Sequence, residues 1–294
     1  MNNRSRHAYL IIAHSHPEIF KCLISALEDE RNDIFCHIDK KANIDDFKKV
    51  IGGGQNVSFV NERVDVRWGD ISQIEAEMTL LKAALNNGDY GFYHLISGVD
   101  MPVKSQDDIH RFFDERKEFN FIGYVDDYWR ERLKHRCDVY SFFLKYQRHR
   151  FFGKIVKGLN RFVFEKVQKL LGVKRTYPFE IMLGSNWFSI NNQLCKFIVQ
   201  NYKYYYSQLH HITCVDEIFL QTVAWDSPYR QTLYNYGGKQ QEMNMRLIDW
   251  QRGNPYSFQI EDLNELFNSN KMFCRKVESE HLAKVILKKL KQKT

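Results

Sequence analysis

The stretch AYLIIAHSHPEIFKCLISALEDERNDIFCHID, residues 8–39, decides the fold because it contains two strand patterns separated by a helix pattern. The apolar run 8–13 is short and continuous, as is typical of a buried parallel strand, and DIFCHID, residues 33–39, is the second predicted strand. Between them, Pro17 starts a segment in which apolar side chains recur at helical spacing. This β-α-β unit predicts an α/β nucleotide-binding fold, although the GxGxxG fingerprint is absent.

Further strand and helix patterns follow along the chain, and together they predict an open mixed sheet in a single domain. Strands are predicted at 58–60, 65–68, 90–103, 119–125, 230–236 and 244–250, with a strand pair within 179–190. Helices are predicted from Asp70 or Ser72 to Gly88, from Ser105, at 192–202, 215–226 and 279–294, and within the basic segment 140–175.

The composition is that of a folded globular protein: 44% of the 294 residues are hydrophobic and 27% are charged, which excludes a disordered chain. The six cysteines are scattered, without the CxxC spacing of a zinc site, and we interpret them as reduced thiols of a cytoplasmic protein. The first apolar run is too short for a signal peptide, and no segment approaches the roughly 20 apolar residues of a membrane span. We therefore expect a soluble or peripheral protein.

The net charge of +7 is concentrated in one segment. Residues 145–175 contain ten Lys or Arg residues and one acid, so this segment carries +9 and the remainder of the chain −2. Phe, Leu and Val alternate with these cations at helical spacing, which is typical of an element that lies on a membrane surface. A solvated helical face without function is the alternative, and a nucleic-acid partner is not expected because no recognisable module is present.

The segment ITCVDEIFLQT, residues 212–222, places two carboxylates, Asp216 and Glu217, at the start of an apolar run. One interpretation makes Thr213 the N-cap and Asp216 the N3 residue of a capping box, with Glu217 off the apolar face. A metal site is disfavoured because the chain contains no Asp-x-Asp. The third interpretation is a catalytic base that takes a proton from a hydroxyl group.

Six motifs carry a resemblance to a known family: AYLIIAHSHPEIF…IFCHIDKKA, VRWGDISQIEAEMTLLKAAL, YHLISGVDMPVKS, LGSNWFSIN, CVDEIFLQT and LFNSNKMFCRKV. They occur in the order found in the core-2/I-branching N-acetylglucosaminyltransferases, a family that also contains the peptide O-xylosyltransferases. The chain resembles this family from about residue 7 to about residue 278. The basic segment 140–175 is the part that matches least.

The resemblance implies a GT-A-like fold with a Rossmann-like N-terminal half, and an inverting transfer from a sugar nucleotide without a metal or other cofactor. The family's catalytic base falls on Glu217, although Val215 replaces the proline of the family's PDE motif. The cation that stabilises the leaving diphosphate falls on Lys276, with Arg275 beside it. A second family cation has no aligned counterpart, and the nearby Arg252 is the candidate.

Other candidate residues lie where strands or turns are predicted to end. His14 and Asp39 follow the first two strands, at the sheet edge where a nucleotide is expected. We expect six residues to contact the sugar or the acceptor: Trp68, Asp100, Lys104, Ser185, Asn186 and Trp187. Structural interpretations stay open for each, such as a turn for Asp100 and core packing for the tryptophans.

These inferences divide the chain into a glycosyltransferase domain, 1–278, and a basic amphipathic C-terminal helix, 279–294. Within the domain, the nucleotide-sugar half covers about 7–125, the basic insertion about 140–175 and the acceptor half about 176–278.

We expect a UDP-sugar donor, with N-acetylglucosamine as the sugar, and a glycan or lipid-linked glycan as the acceptor. Because the chain starts without the membrane anchor of the animal members, we expect a bacterial enzyme at the inner face of the cell membrane that builds surface polysaccharide. Its contacts with anionic lipid are expected from 145–175 and the C-terminal helix. The alternatives are another donor, such as xylose or galactose, and a non-catalytic basic protein that docks on membrane or nucleic acid.

Overall fold

The computed structural model describes residues 5–52 and 56–292. In these ranges the strands are β1 (His7–Ala13), β2 (Asn32–Ile38), β3 (Val57–Phe59), β4 (Phe92–Ser97), β5 (Asp100–Pro102), β6 (Phe121–Tyr124), β7 (Gly184–Asn191), β8 (Arg246–Ile248) and β9 (Phe273–Arg275). The helices are α1 (Pro17–Leu27), α2 (Ile44–Ile51), α3 (Ser72–Asn87), α4 (Gln106–Asp114), α5 (Asp127–Lys134), α6 (Gly153–Gly158), α7 (Glu165–Leu170), α8 (Asn192–Leu209), α9 (Phe219–Asp226), α10 (Gln240–Asn244), α11 (Leu263–Asn268) and α12 (Glu280–Lys291). Single 3-10 turns include His135–Cys137 and Val215–Glu217, and a π-helical turn, Leu159–Phe164, joins α6 to α7.

The main sheet has six strands in the order β3-β2-β1-β4-β7-β6. The first four strands of this order pair in parallel, whereas β7 pairs antiparallel with both β4 and β6. The predicted α/β fold with an open mixed sheet is therefore confirmed, and it is consistent with a GT-A-like glycosyltransferase. The β-α-β unit β1-α1-β2 occurs where the sequence predicts it.

Helices cover both faces of the main sheet because its central strands are apolar on both faces. Ala8, Leu10 and Ile12 of β1 belong to one core cluster, which also contains side chains of α3, α8 and α9. Tyr9 and Ile11 belong to the other cluster, with side chains of α1, α2, α4 and α12. Successive strand residues point to opposite faces, so one strand contributes to both cores.

A second sheet of three short strands, in the order β5-β9-β8, lies beside the end of β4. Its register pairs Asp100 of β5 directly with Arg275 of β9, although the two residues are far apart in the chain. Opposite residues of an antiparallel pair lie close enough for their side chains to interact. This sheet therefore sets the position of Arg275.

Five sequence predictions of secondary structure are wrong. The single strand predicted at 90–103 is divided into β4 and β5, which belong to different sheets. Residues 65–68 form no strand, because the amide of Arg67 binds the Ser72 hydroxyl and not a neighbouring strand. Residues 230–236 form a 3-10 turn and a single bridge, and 179–190 contains one strand, β7. The predicted helix 215–226 is interrupted at Ile218, which separates the turn Val215–Glu217 from α9.

The C-terminal helix forms as predicted, but its apolar face is not available to a membrane. Leu282, Ala283, Ile286 and Leu290 of α12 are buried in the core, and the helix packs against α1. Contact of this helix with anionic lipid stays a prediction. Residues 1–4 of the predicted domain and residues 293–294 of the predicted helix lie outside the described residues.

The basic segment is helical as predicted, and it exposes large apolar side chains. Leu170 is 86% exposed, Phe151 73% and Leu171 72%. None of the helices within 5–52 and 56–292 is both long and apolar enough to cross a membrane.

Candidate active site

One group of candidate residues lies at the carboxyl ends of β1 and β2. The Asp39 amide donates to the carbonyl of Ala13 at 2.8 Å, which holds the ends of the two strands together. Burial lowers the pKa of His14, and the nearby charge of Asp39 opposes this shift. Lys41 Nζ lies 2.9 Å from Asp39 Oδ2. The structure thus brings His14 and Asp39 together, as the β-α-β pattern predicts.

Arg63 is a residue of this edge that the sequence analysis missed. Its guanidinium donates to the carbonyls of Ile38, Asp39 and Ala42 at 2.9, 2.7 and 2.5 Å. These bonds fix the loop after β2, so Arg63 positions Asp39 without being one of the motif residues.

Arg275 connects this edge to Asp100 and Trp187. One of its terminal nitrogens lies 2.9 Å from Asp100 Oδ1, and its guanidinium lies 4.3 Å from the centre of the Trp187 ring. Asp100 is buried and also accepts from the Ser97 amide at 2.8 Å and from the Ser97 hydroxyl at 2.7 Å. Three predicted site residues therefore form one contact group, with Asp100 orienting the guanidinium.

The other three predicted cations have different surroundings. Lys276 is largely buried and pairs with Glu278 at 2.9 Å, next to Arg275 in the chain. Arg252 contacts the carboxylates of Asp249, Asp262 and Glu265. Lys104 donates to the carbonyl of Phe267 at 3.0 Å, at the end of α11. Arg275 and Lys276 are therefore neighbours in the chain whose side chains have different partners.

Glu217 ends the 3-10 turn Val215–Glu217 and pairs with Arg136 at 3.0 Å. Arg136 lies 81 positions earlier in the chain, in the turn after α5, so no local pattern could reveal this contact. The predicted capping box is absent: Cys214 precedes the turn in a left-handed conformation and no side chain caps it. Thr213 instead accepts a hydrogen bond from Gln147 of the basic segment at 3.4 Å.

Asp216 lies beside Glu217, and Glu77 lies beside Asp216. Burial, and then the charge of Glu217, raise the pKa of Asp216 to about 7, and Arg136 opposes the shift. Glu77 of α3 is only 3% exposed, and burial together with Asp216 raises its pKa well above the ordinary value. Glu77 is a site residue that was not predicted from the sequence, although an acid between Ala76 and Met78 on the buried face of a helix is a visible signal.

Strand β7 contacts both the carboxyl side chains near Glu217 and the side chains around Arg275. The side chain of Asn186 hydrogen-bonds to Glu77, whereas the ring of Trp187 contacts Arg275. Gln221 donates to the carbonyl of Ser185 at 2.7 Å, which ties β7 to α9. Trp68 is 48% exposed and carries the guanidinium of Arg148 at 4.0 Å from its ring centre. The predicted residues 185–187 therefore lie between the carboxyl side chains near Glu217 and the cation Arg275.

A family model described as "Core-2/I-Branching enzyme" matches residues 7–270 of the 294. The chain belongs to the Core-2/I-branching enzyme family. A protein of Ciona intestinalis named "Xylosyltransferase" is 22% identical over 295 residues, which cover 93% of this chain and 32% of that relative. The chain thus spans about a third of the length of the curated relative that it matches. The resemblance of the motifs to this family is confirmed, and membership supports a glycosyltransferase, whereas a bacterial-type member stays a prediction.

Within this Core-2/I-branching chain, the two groups have complementary chemistry. The carboxyl side chains of Glu77, Asp216 and Glu217 can accept or hold protons. The cations around Arg275 can bind an anion. Within residues 5–52 and 56–292, no three His, Cys, Asp or Glu side chains are placed to hold a metal ion. Metal independence stays a prediction, which the donor experiment below tests.

Proposed function

We propose that this family member is an inverting glycosyltransferase that moves N-acetylglucosamine from a UDP-sugar to a hydroxyl of a glycan acceptor. The observation that carries the proposal is that adjacent residues of β7 contact both kinds of side chain: Asn186 hydrogen-bonds to Glu77, beside Asp216 and Glu217, and Trp187 contacts Arg275. One-step inversion needs a base for the attacking hydroxyl and a positive charge for the leaving diphosphate. The site contains a candidate for the base, Glu217, and a candidate for the positive charge, Arg275.

Glu217 is the proposed base because its side chain is 45% exposed, whereas Glu77 is buried and Asp216 partly buried. Arg136 holds one carboxylate oxygen of Glu217 and leaves the other for the acceptor hydroxyl. The proton of that hydroxyl passes to Glu217 as the oxygen attacks the anomeric carbon. Arg275 and Lys276 stabilise the UDP that leaves with the electron pair of the broken bond.

The variant Glu217→Gln tests the base. We expect transfer to fall by about 10²–10⁴-fold, because the amide cannot take the proton, while UDP binding stays within twofold of the wild type. Glu115→Gln, an exposed substitution on the other side of the fold, is the matched control. Full turnover by Glu217→Gln would show that another group is the base.

A donor panel tests the sugar and the metal requirement together. UDP-N-acetylglucosamine, UDP-xylose and UDP-galactose are compared by UDP release, with and without EDTA. We expect the first to be turned over fastest and EDTA to have no effect. Xylose is the second candidate because the curated relative is named a xylosyltransferase, and loss of activity with EDTA would contradict a metal-free reaction.

We also propose that the enzyme works in the cytoplasm, bound peripherally at the inner face of a bacterial cell membrane, where it builds surface polysaccharide on a lipid-linked acceptor. The support is the basic segment, whose exposed Phe and Leu side chains lie among its cations. Flotation with anionic and with neutral vesicles tests this proposal. We expect binding to the anionic vesicles alone, and no binding to them at low salt would contradict it.

A further inference from the structure

A pocket of about 200 Å³ lies between the basic segment and the loop that leads to Glu217. Its lining comes from the turn after α5, from α6, from the π-helical turn and from the loop before Glu217, and includes His135, Arg136, Gln147, Lys157, Arg161 and Thr213. The hydrogen bond from Gln147 to Thr213 joins the two walls. The pocket therefore opens beside the proposed base and within the part of the chain that resembles the family least.

Arg136 connects this pocket to Glu217. One of its terminal nitrogens donates to Glu217, whereas its Nε and its other terminal nitrogen are buried without a hydrogen-bond partner in the described ranges. Buried guanidinium N–H groups without partners destabilise a fold, so native proteins rarely leave them unpaired. The fixed fork of these donors matches the two oxygens of a carboxylate or a phosphate.

The rest of the lining adds to the positive charge. Lys157 and Arg161 have exposed side chains, and neither forms an ion pair in the part of the chain that the structure describes. The one carboxylate of the described lining, Glu165, pairs with Lys169 at 2.7 Å. Its charge is thus largely compensated outside the pocket, and the pocket favours an anion.

On the basis of the proposed function, the geometry points to a subsite for an anionic group of the acceptor, a carboxylate or a phosphate, held by Arg136, Lys157 and Arg161 next to Glu217. The donor diphosphate has its own cations, Arg275 and Lys276, on the other side of β7. A neutral acceptor offers no charged partner to the exposed Lys157 and Arg161 of this lining, so the subsite favours an anionic one. The enzyme therefore prefers an acidic acceptor, such as one with a uronic acid or a phosphodiester beside the accepting hydroxyl.

Ligand-observed NMR with the full chain tests the subsite, in saturating UDP so that the donor site is occupied. The probes are inorganic phosphate, methyl glucuronide and, as the neutral control, methyl glucoside. The test variant is Lys157→Gln with Arg161→Gln. The matched control, Lys154→Gln with Lys166→Gln, removes the same charge from the same segment outside the described pocket lining.

We expect the wild type and the control to bind at least one anion, and the test variant to bind it at least about tenfold more weakly, the effect of one hydrogen bond to a charged group. The tighter of the two anions identifies the acceptor group as phosphate or carboxylate. Equal weakening in both variants, or no anion binding by the wild type, would overturn the subsite. UDP-sugar hydrolysis is measured on the same protein preparations without added UDP: intact hydrolysis without anion binding contradicts the subsite alone, and anion binding without hydrolysis contradicts the proposed function alone.

Discussion

Asp216 and Glu217 are neighbours in the sequence, but their side chains meet different surroundings. Glu217 is exposed enough to reach an acceptor and is paired with Arg136. Burial and then the charge of Glu217 raise the pKa of Asp216, and Asp216 in turn adds to the raised pKa of the buried Glu77.

The raised pKa of Asp216 predicts a pH dependence of stability. Its pKa is about 7 in the folded chain against an ordinary 3.8, so the folded state holds a proton that the unfolded state releases. This group therefore destabilises the fold as pH rises from about 4 to 7, and the full penalty is present above pH 7. We expect Asp216→Asn to raise the free energy of unfolding at pH 8 by roughly 1–3 kcal/mol and to change it little at pH 4.

Urea unfolding at the two pH values measures this difference, with the exposed Asp127→Asn as the control. A variant that is equally destabilised at both pH values would show that Asp216 is ionised in the native state.

Residue-scale features of this kind could not be predicted from the sequence, because the pair Asp216–Glu77 depends on how α3 packs against the turn. The capping prediction for Thr213 failed because the left-handed Cys214 starts the turn instead.

At the scale of elements, β1, β4 and α4 bury three histidines together. The rings of His7 and His110 stack with 4.0 Å between centres, and His94 Nε2 lies 3.1 Å from His7 Nδ1. Burial lowers the pKa of all three, that of His110 to about 3, although Asp114 opposes the shift at His7. Their hydrogen bonds with Ser189 and Asn32 tie α4 and β7 to the centre of the sheet.

This cluster predicts a loss of stability in acid, opposite in sign to the effect of Asp216. The unfolded histidines take up protons below about pH 6.5, whereas the folded ones stay neutral, so stability falls as pH drops from 6.5 towards 3. We expect a slope of about 1.4 kcal/mol per pH unit for each histidine that stays neutral. The free energy of unfolding of the wild type and of His110→Gln, measured between pH 4 and 7, gives this slope, with the exposed His281→Gln as the control. If the free energy of unfolding depends on pH in the same way in all three proteins, the prediction is wrong.

The predictable elements are those whose residues form local patterns. The unit β1-α1-β2, helix α3 and helix α8 follow from apolar spacing, and they place His14 and Asp39 at one edge. Strand β9 has three residues and no pattern of its own, since its partners β5 and β8 come from distant parts of the chain. The contact of Arg275 with Asp100 therefore could not be derived from spacing, and only the family resemblance pointed to Arg275.

At the scale of the whole molecule, the basic and apolar surfaces coincide on one segment next to the proposed acceptor subsite. The segment 145–175 contacts the site at two places. The guanidinium of Arg148 lies over the ring of Trp68, and the side chain of Gln147 donates a hydrogen bond to Thr213. Helix α12 is also basic, but its apolar side chains are in the core. A membrane that contacts the segment would thus lie beside the acceptor side of the site.

Reversing charge on the segment should therefore weaken membrane binding without changing catalysis in solution. We expect Lys154→Glu with Lys166→Glu to lower binding to anionic vesicles by at least about tenfold, because each basic residue near such a surface contributes about 1 kcal/mol. UDP-sugar hydrolysis without vesicles should stay at the wild-type rate, since neither lysine lies in the described site. Lys288→Glu with Lys291→Glu on α12 makes the same charge change and should retain most of the binding. If both pairs weaken binding equally, net charge and not the segment drives the association, and if the first pair abolishes hydrolysis in solution, the segment belongs to the catalytic machinery.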